Sequence, residues 1–287
     1  MTANPKEVLI LSLLKHELRS RRLAVLGWAI ALSLFAVMYI AIYPQLGEQL
    51  ESMKTLFELP MYRAFGMQMN SFEGFIASSV VQFIPIILAI YVIMASTETL
   101  AGEEDKGHLE LVVTMPIKRW QIVLAKAIAL ALVTLMILVI TGASSAVALS
   151  WMKNLITVEL TATQLFFGVL SAWPITLAVL MMGLFFSACM PNQRTAAMTM
   201  TTIYVVSYFG ESLAALVDSL DTIKVFSLFS YFDSTANLFS EGMQAADTAV
   251  LLSTAAVFLG LALISFENRD ITVGRWPWQH AKMGQGN

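Results

Sequence analysis

The chain has 287 residues, of which 57% are hydrophobic and only 13% are charged. Soluble globular domains carry about 25% charged residues, so this composition excludes an ordinary soluble domain and indicates a polytopic membrane protein. The single cysteine, Cys189, excludes an intrachain disulfide and a cysteine cluster for metal, and we expect it to be a packing residue.

The first predicted element is an amphipathic helix over residues 5–20. Its leucine and isoleucine side chains form one stripe, whereas Lys15 and Arg19 fall on the other side. Basic residues are dense in and just after it: Lys6, Lys15, Arg19, Arg21 and Arg22. We expect this segment, domain 1–22, to lie along the inner membrane surface; the alternative is a leader that only sets orientation.

Six apolar runs follow, each long enough to cross a bilayer core of about 30 Å, which takes about 20 helical residues. They are residues 23–43, 75–97, 122–149, 165–190, 196–217 and 248–266. We expect no cleavable signal peptide, because the first run has full span length and no small-residue cleavage site after it. Each run must be helical, since an isolated strand leaves backbone groups unsatisfied in lipid. The sequence predicts an all-α integral membrane protein, with a six-span domain over 23–266 and a tail over 267–287.

Lysine and arginine residues are distributed unevenly between the two faces that this topology defines. Thirteen of the 17 fall on the face that carries both termini and the loop after span two, and four fall on the other. Cytoplasmic segments carry an excess of these residues. Both termini are therefore predicted to be cytoplasmic, in the plasma (inner) membrane.

The segment 98–126 is the longest strongly charged stretch between two spans, and it lies on the predicted cytoplasmic side. Leu109 and Val113 recur at helical spacing opposite charged side chains, which predicts a short amphipathic helix. Gly107 loosens the entry to that helix, and Pro116 ends it, because the residue before a proline is disfavoured in the α conformation. We interpret the segment as a docking surface; the alternative is a solvated linker.

Residues of this loop resemble the signature of the type-2 export permeases of ATP-binding-cassette (ABC) transporters. The matching positions, in order, are Gly102, Glu103, Glu104, Gly107, Leu109, Glu110, Leu111, Pro116, Arg119 and Lys126. Residues 266–271, FENRDI, are similar to the motif that follows the last span in that family. His108 departs from the pattern, because the family most often has a small hydroxyl residue there.

This resemblance implies a partner and roles for several residues. The partner is a separate ABC ATPase subunit that binds ATP and Mg²⁺, while this chain binds no cofactor or metal. Contact with the ATPase is assigned to a coupling helix and its flanks: Glu103, Glu104, Gly107, Leu109, Glu110, Val113, Pro116 and Arg119. The 5–20 helix becomes an elbow helix that contacts the ATPase through Lys15 and Arg19.

The resemblance also implies re-entrant helices between spans five and six. In this segment Phe229, Tyr231 and Phe232 stand among acidic residues, a mixture that suits helices dipping into the outer leaflet. We expect these three side chains to form an outer gate; the alternative is an ordinary aromatic belt.

The spans themselves hold few ionisable groups. Lys126 lies near the inner end of span three, where we expect its amine to reach the lipid headgroups. Pro85 and Pro174 are expected to kink spans two and four. A proton- or sodium-coupled carrier needs carboxylates or broken helices near the midplane, so this scarcity favours an external energy source.

The sequence lacks the elements of a self-contained ATPase or enzyme. There is no GxxxxGK[ST] phosphate loop, and the three histidines are scattered over water-facing segments. The first outer loop, 44–74, holds Met61, Met67 and Met69, which raises the hypothesis of a copper site. No cysteine or histidine supports it, so we favour interfacial methionines.

The predicted function is the permease subunit of an ATP-driven exporter for a hydrophobic or amphipathic substrate, such as a drug, a peptide or a lipid-like molecule. Six spans form half a pathway, so we expect a second permease chain, identical or related, together with ATPase subunits and membrane lipid. Nothing indicates a nucleic acid partner. The alternative is a non-transporting membrane partner of an ABC ATPase that does mechanical or sensory work at the envelope.

Overall fold

A computed structural model describes residues 5–52, 54–57, 59, 61, 71–105, 118–153, 158–214, 216 and 224–268, and every regular element in them is helical. The α-helices are α1 Pro5–Ser20, α2 Arg22–Ser52, α3 Lys54–Phe57, α4 Phe72–Ile76, α5 Phe83–Thr97, α6 Glu103–Asp105, α7 Arg119–Met152, α8 Ala162–Leu170, α9 Trp173–Cys189, α10 Gln193–Ala214, α11 Asn237–Glu241 and α12 Ala245–Glu267. Two π-helical segments, π1 Ala77–Val81 and π2 Glu98–Gly102, and a 3-10 turn at Leu228–Tyr231 complete the set. The all-α class is confirmed, and α1 has the bounds predicted for the first helix.

Five stretches of the described chain are long and apolar enough to cross a membrane: Arg22–Leu46, Phe72–Asp105, Arg119–Met152, Ala162–Cys189 and Ala245–Glu267. They coincide with five of the six predicted spans. The remaining prediction, 196–217, coincides with α10, whose 22 residues extend about 33 Å. Threonine and serine residues and Glu211 lower the mean hydropathy of α10 and leave it outside the group of five.

Helical structure extends beyond the first predicted span into the first outer loop, 44–74. Helix α2 continues through Pro44 to Ser52, and α3 follows at Lys54. A proline in a helix interior removes one backbone hydrogen bond and favours a kink, but α2 continues past Pro44. Glutamine, leucine and glutamate dominate the residues after Pro44 and supply helix propensity.

Both predicted proline sites coincide with irregular backbone. Pro174 lies in the first turn of α9, where its missing N–H has no helical partner to lose, and α8 ends just before it at Leu170. Pro85 lies in the first turn of α5, directly after π1. The Gln82 N–H donates to the Ala77 carbonyl at 2.9 Å, which is the i to i−5 bond of a π turn.

The helices differ in how much of their surface the protein covers. Of the most apolar stretch in each span, 72% is buried in Phe72–Asp105 and in Ala162–Cys189, compared with 28% in Arg22–Leu46 and 22% in Ala245–Glu267. Helices α5 and α9 therefore form the centre. They approach closely at Gly183, where an added Cβ would lie 2.0 Å from the Ser96 hydroxyl oxygen.

Candidate functional site

Lys126, in the second turn of α7, is fully buried, with 1% of its surface exposed. Its Nζ donates to Glu17 Oε1 of α1 at 2.7 Å and to Glu103 Oε1 of α6 at 2.5 Å. The expectation that this amine reaches the lipid headgroups is wrong, because two carboxylates offer it charge-assisted hydrogen bonds inside the protein. One cation thus joins three segments that are distant in the sequence.

Arg21 extends the contact around Lys126 toward π2. Its Nε donates to Glu17 Oε2 at 3.5 Å, and its Nη2 donates to Thr99 Oγ1 at 3.4 Å. We call Glu17, Arg21, Thr99, Glu103 and Lys126 the charged junction. Burial raises the pKa of Glu17, but the nearby Lys126 and Arg21 together lower it by more, so its pKa lies below the ordinary value. The junction pairs two carboxylates with two cations and is electrically balanced.

A hydroxyl group from α9 holds the backbone of π2. The Ser187 Oγ accepts from the Leu100 N–H at 3.3 Å and the Ala101 N–H at 2.9 Å, and it donates to the Thr97 carbonyl at 2.8 Å. A π turn displaces the regular helical hydrogen bonds, and this hydroxyl supplies the bonding capacity that they leave open. The segment leading to Glu103 is therefore fixed by a neighbouring helix.

The end of π2 and helix α6 also contact the start of α10. An added Cβ at Gly102 would lie 2.7 Å from the Gln193 Oε1, so a larger residue at this position would require the Gln193 side chain to move. Asp105 Oδ2 accepts a hydrogen bond from the Gln193 N–H at 2.9 Å. A carboxylate at the amino end of a helix is favoured by the helix dipole. Helix α10 is thus joined to the segment that leads into residues 106–117.

The predicted ATPase contacts are only partly among the described residues. Glu103 and Glu104 lie in α6, where Glu104 is buried, and Arg119 begins α7 and is partly buried. Gly107, Leu109, Glu110, Val113 and Pro116 lie outside the described residues, as do Arg269, Asp270 and Ile271 of the closing motif. Lys15 and Arg19 are exposed on α1. The docking roles of these residues stay predictions.

The other end of α10 contacts the segment predicted to form the outer gate. The Leu228 N–H donates to Ser207 Oγ at 2.9 Å, and Ser227 Oγ donates to the Ser207 carbonyl at 2.9 Å. The buried Phe229 ring packs against the rings of Tyr204 and Tyr208, with centroids 5.2 and 5.1 Å apart. We call Tyr204, Ser207, Tyr208, Ser227, Leu228 and Phe229 the outer junction. Phe232 is buried and Tyr231 partly so, but their gating role is untested.

Sequence reasoning missed several residues that build these contacts. Glu17 and Arg21 stand four positions apart on the amino-terminal side, a spacing that favours an ion pair and was visible in the sequence. Ser187, Ser207 and Asp105 carried no such signal, because their partners come from other helices.

Comparison with known proteins identifies the family. A model of the ABC-2 family transporter proteins matches residues 11–271, which include the charged junction, α10 and the outer junction. No curated protein matches the chain. The match covers most of the sequence and agrees with an all-helical chain that has several membrane-length helices. The chain therefore belongs to the ABC-2 transporter family, the membrane-spanning permease subunits that work with an ABC ATPase.

Proposed function

We propose that this permease subunit belongs to an ATP-driven exporter that moves a hydrophobic or amphipathic substrate out of the cell. In this proposal the chain has six spans with both termini in the cytoplasm, and it pairs with a second permease chain and with ATPase subunits that bind ATP and Mg²⁺. The observation that carries the proposal is the anchoring of both flanks of residues 106–117, the segment assigned to ATPase contact.

The flanks connect that segment to three helices. On one side, Glu103 bonds Lys126 of α7, which also bonds Glu17 of α1, and Asp105 bonds the first residue of α10. On the other side, Arg119 begins α7 directly. A displacement of the segment by an ATPase is therefore passed to α1, α7 and α10 together. Packed elements that shift between two arrangements convert small local displacements into large ones.

Helix α10 links this inner region to the outer junction. Its first residue, Gln193, donates its N–H to Asp105, and Tyr204, Ser207 and Tyr208, three to four turns later, hold the segment around Phe229. A helix of this length acts as a stiff rod across about 20 Å between those contacts. In the proposed cycle, ATP-driven tilting of α10 moves Phe229, Tyr231 and Phe232 and opens the outer side.

Treating α10 as a span is consistent with its hydroxyl residues. Thr202 Oγ1 donates to the Met198 carbonyl at 2.9 Å, and Ser212 Oγ donates to the Tyr208 carbonyl at 3.3 Å. Hydroxyl groups that bond their own helix backbone lose little when they enter an apolar environment. With α9 ending at Cys189 and α10 beginning at Gln193, the two helices have room for a tight turn between them.

The test uses Asp105→Ala in the permease purified with its ATPase. We expect the complex to assemble but to lose most ATP-dependent uptake of a lipophilic fluorescent dye into inverted vesicles, because α10 is released from the ATPase-facing segment. Asp247→Ala is the matched control, since Asp247 also lies in the first turn of a helix, α12. Equal uptake by the two variants contradicts the coupling path. A native complex that hydrolyses ATP but moves none of a panel of amphipathic dyes and peptides contradicts export and favours mechanical work.

A further inference from the structure

A cavity of about 530 Å³ lies between α9, α10, α12 and residues 225–231. Apolar side chains dominate its wall, among them Met182, Met200, Ile203, Val250 and Phe258. Its volume falls in the range of about 300–1,000 Å³ that is typical of small-molecule sites. No residue of the charged junction lines the cavity. Four lining residues belong to the outer junction: Tyr204, Ser207, Ser227 and Leu228.

The hydroxyl groups in the wall have already used their hydrogens. Each of the six donates within the protein: Thr202 to Met198 O, Tyr204 to Pro85 O, Ser207 to Ser227 Oγ, Ser227 to Ser207 O, Tyr231 to Val225 O and Thr254 to Val250 O. None of the described lining residues is charged. A charged ligand, or one that needs donors, would lose its hydration here without replacement. The chemistry of the wall therefore favours a hydrocarbon ligand.

The opening of the cavity is apolar as well. Phe226, Val225 and Val206 line it and are 84%, 64% and 63% exposed. In a chain with membrane-length helices, such a rim is suited to contact with lipid hydrocarbon rather than water. The cavity is thus continuous with an apolar surface.

We propose that this cavity binds one acyl chain of a membrane lipid, which enters past Phe226 and lies between α10 and α12. The bound chain contacts Leu228 and Tyr231 and so supports the segment of the predicted outer gate from behind. This inference concerns a resident lipid rather than the cargo. It holds whether or not the chain is an exporter.

The test is photo-cross-linking with the full chain in phosphatidylcholine nanodiscs, without the ATPase. A phosphatidylcholine with a diazirine near the end of one acyl chain should label peptides that contain Met182, Met200 or Phe258. Thr254→Phe fills the cavity and should abolish that labelling. Ser253→Phe is the matched control: the Ser253 hydroxyl also donates to the Val250 carbonyl, at 2.9 Å, but this residue does not line the cavity. We expect native labelling in that variant.

A second cavity-filling variant and a second lipid probe test the proposal further. Thr202→Phe fills the cavity from α10 instead of α12, and it replaces Thr254→Phe should that variant not fold. A phosphatidylcholine with the diazirine in its headgroup should not label the three peptides. Equal labelling of the filled and control variants, labelling of these peptides by the headgroup probe, or acyl-chain labelling confined to peptides of α2 would each overturn the proposal.

Discussion

The charged junction and the outer junction hold the two ends of the same helix bundle by different means. At the charged junction, one buried cation bonds carboxylates from two other segments, and one of these, Glu17, is 109 positions away. At the outer junction, hydroxyl groups join Ser207 to Ser227, only 20 positions apart, and the Phe229 ring packs against two tyrosine rings. The charged junction depends on one group and joins residues that are far apart in the sequence. The outer junction joins residues that are closer in the sequence and is distributed over several groups.

This difference predicts unequal sensitivity to substitution. Removing one member of a buried ion pair leaves an uncompensated charge and costs about 3–5 kcal/mol. Removing one neutral hydrogen bond costs about 1 kcal/mol. The charged junction should therefore fail through a single residue, and the outer junction should weaken gradually.

The largest effect is expected for Lys126→Met. Because Glu103 would lose its cation and the buried Glu17 would keep only the longer contact with Arg21, we expect the free energy of unfolding in mixed micelles to fall by about 3–5 kcal/mol. Lys15→Met removes the same charge from an exposed position of α1 and should change the free energy of unfolding by less than about 0.5 kcal/mol. Similar free energies of unfolding for Lys126→Met and Lys15→Met would contradict the dependence of the charged junction on one residue.

A smaller effect is expected for Ser207→Ala at the outer junction. This change removes the acceptor of the Leu228 N–H, while the ring contacts of Phe229 remain, so we expect a loss of about 1 kcal/mol in the same unfolding assay. Ser253→Ala, which removes an exposed hydroxyl bonded only to its own helix, is the control. A loss as large as that of Lys126→Met would show that the outer junction also depends on one residue.

The smallest effect is a dependence on pH at the charged junction. The pKa of Glu17 is below its ordinary value of 4.5 in the folded protein, so its ionised form stabilises the fold at pH values above 4.5. That contribution is lost as the pH falls through the folded pKa. The difference in unfolding free energy between the native chain and Glu17→Gln should therefore shrink in acid, whereas the difference for Ser253→Ala, which removes an exposed hydroxyl bonded to its own helix, should not. A constant difference for Glu17→Gln would contradict the ion pair.

The sequence predicted the features that depend on local composition. Membrane-length apolar runs located five helices, the spacing of leucines located α1, and prolines marked the irregular backbone at Pro85 and Pro174. Long apolar runs and prolines act through adjacent residues, so no tertiary information was needed. The first predicted span, 23–43, is shorter than α2, because an apolar run marks only the membrane-length part, whereas good helix formers continue α2 to Ser52.

The contacts of the site depended on residues that the sequence does not bring together. The family signature marked Glu103 and Lys126, but it did not show that they bond each other, or that Glu17 is the second partner of Lys126. Burial of that lysine follows from the packing of α1 against α7, which apolar periodicity alone does not specify. The two π segments also lack a compositional signal, since their residues resemble those of the flanking helix.

The wide turn of π2 changes the direction in which the side chains that follow it point. In π2 the Glu103 N–H bonds the Glu98 carbonyl, five positions back, so the turn contains one residue more than an α turn. Each residue advances an α-helix by about 100°, so an uninterrupted helix would point Glu103 away from Lys126 by roughly that angle. The orientation of this carboxylate is therefore set by a single extra residue, and shortening the helix by one position would turn it away from its cation.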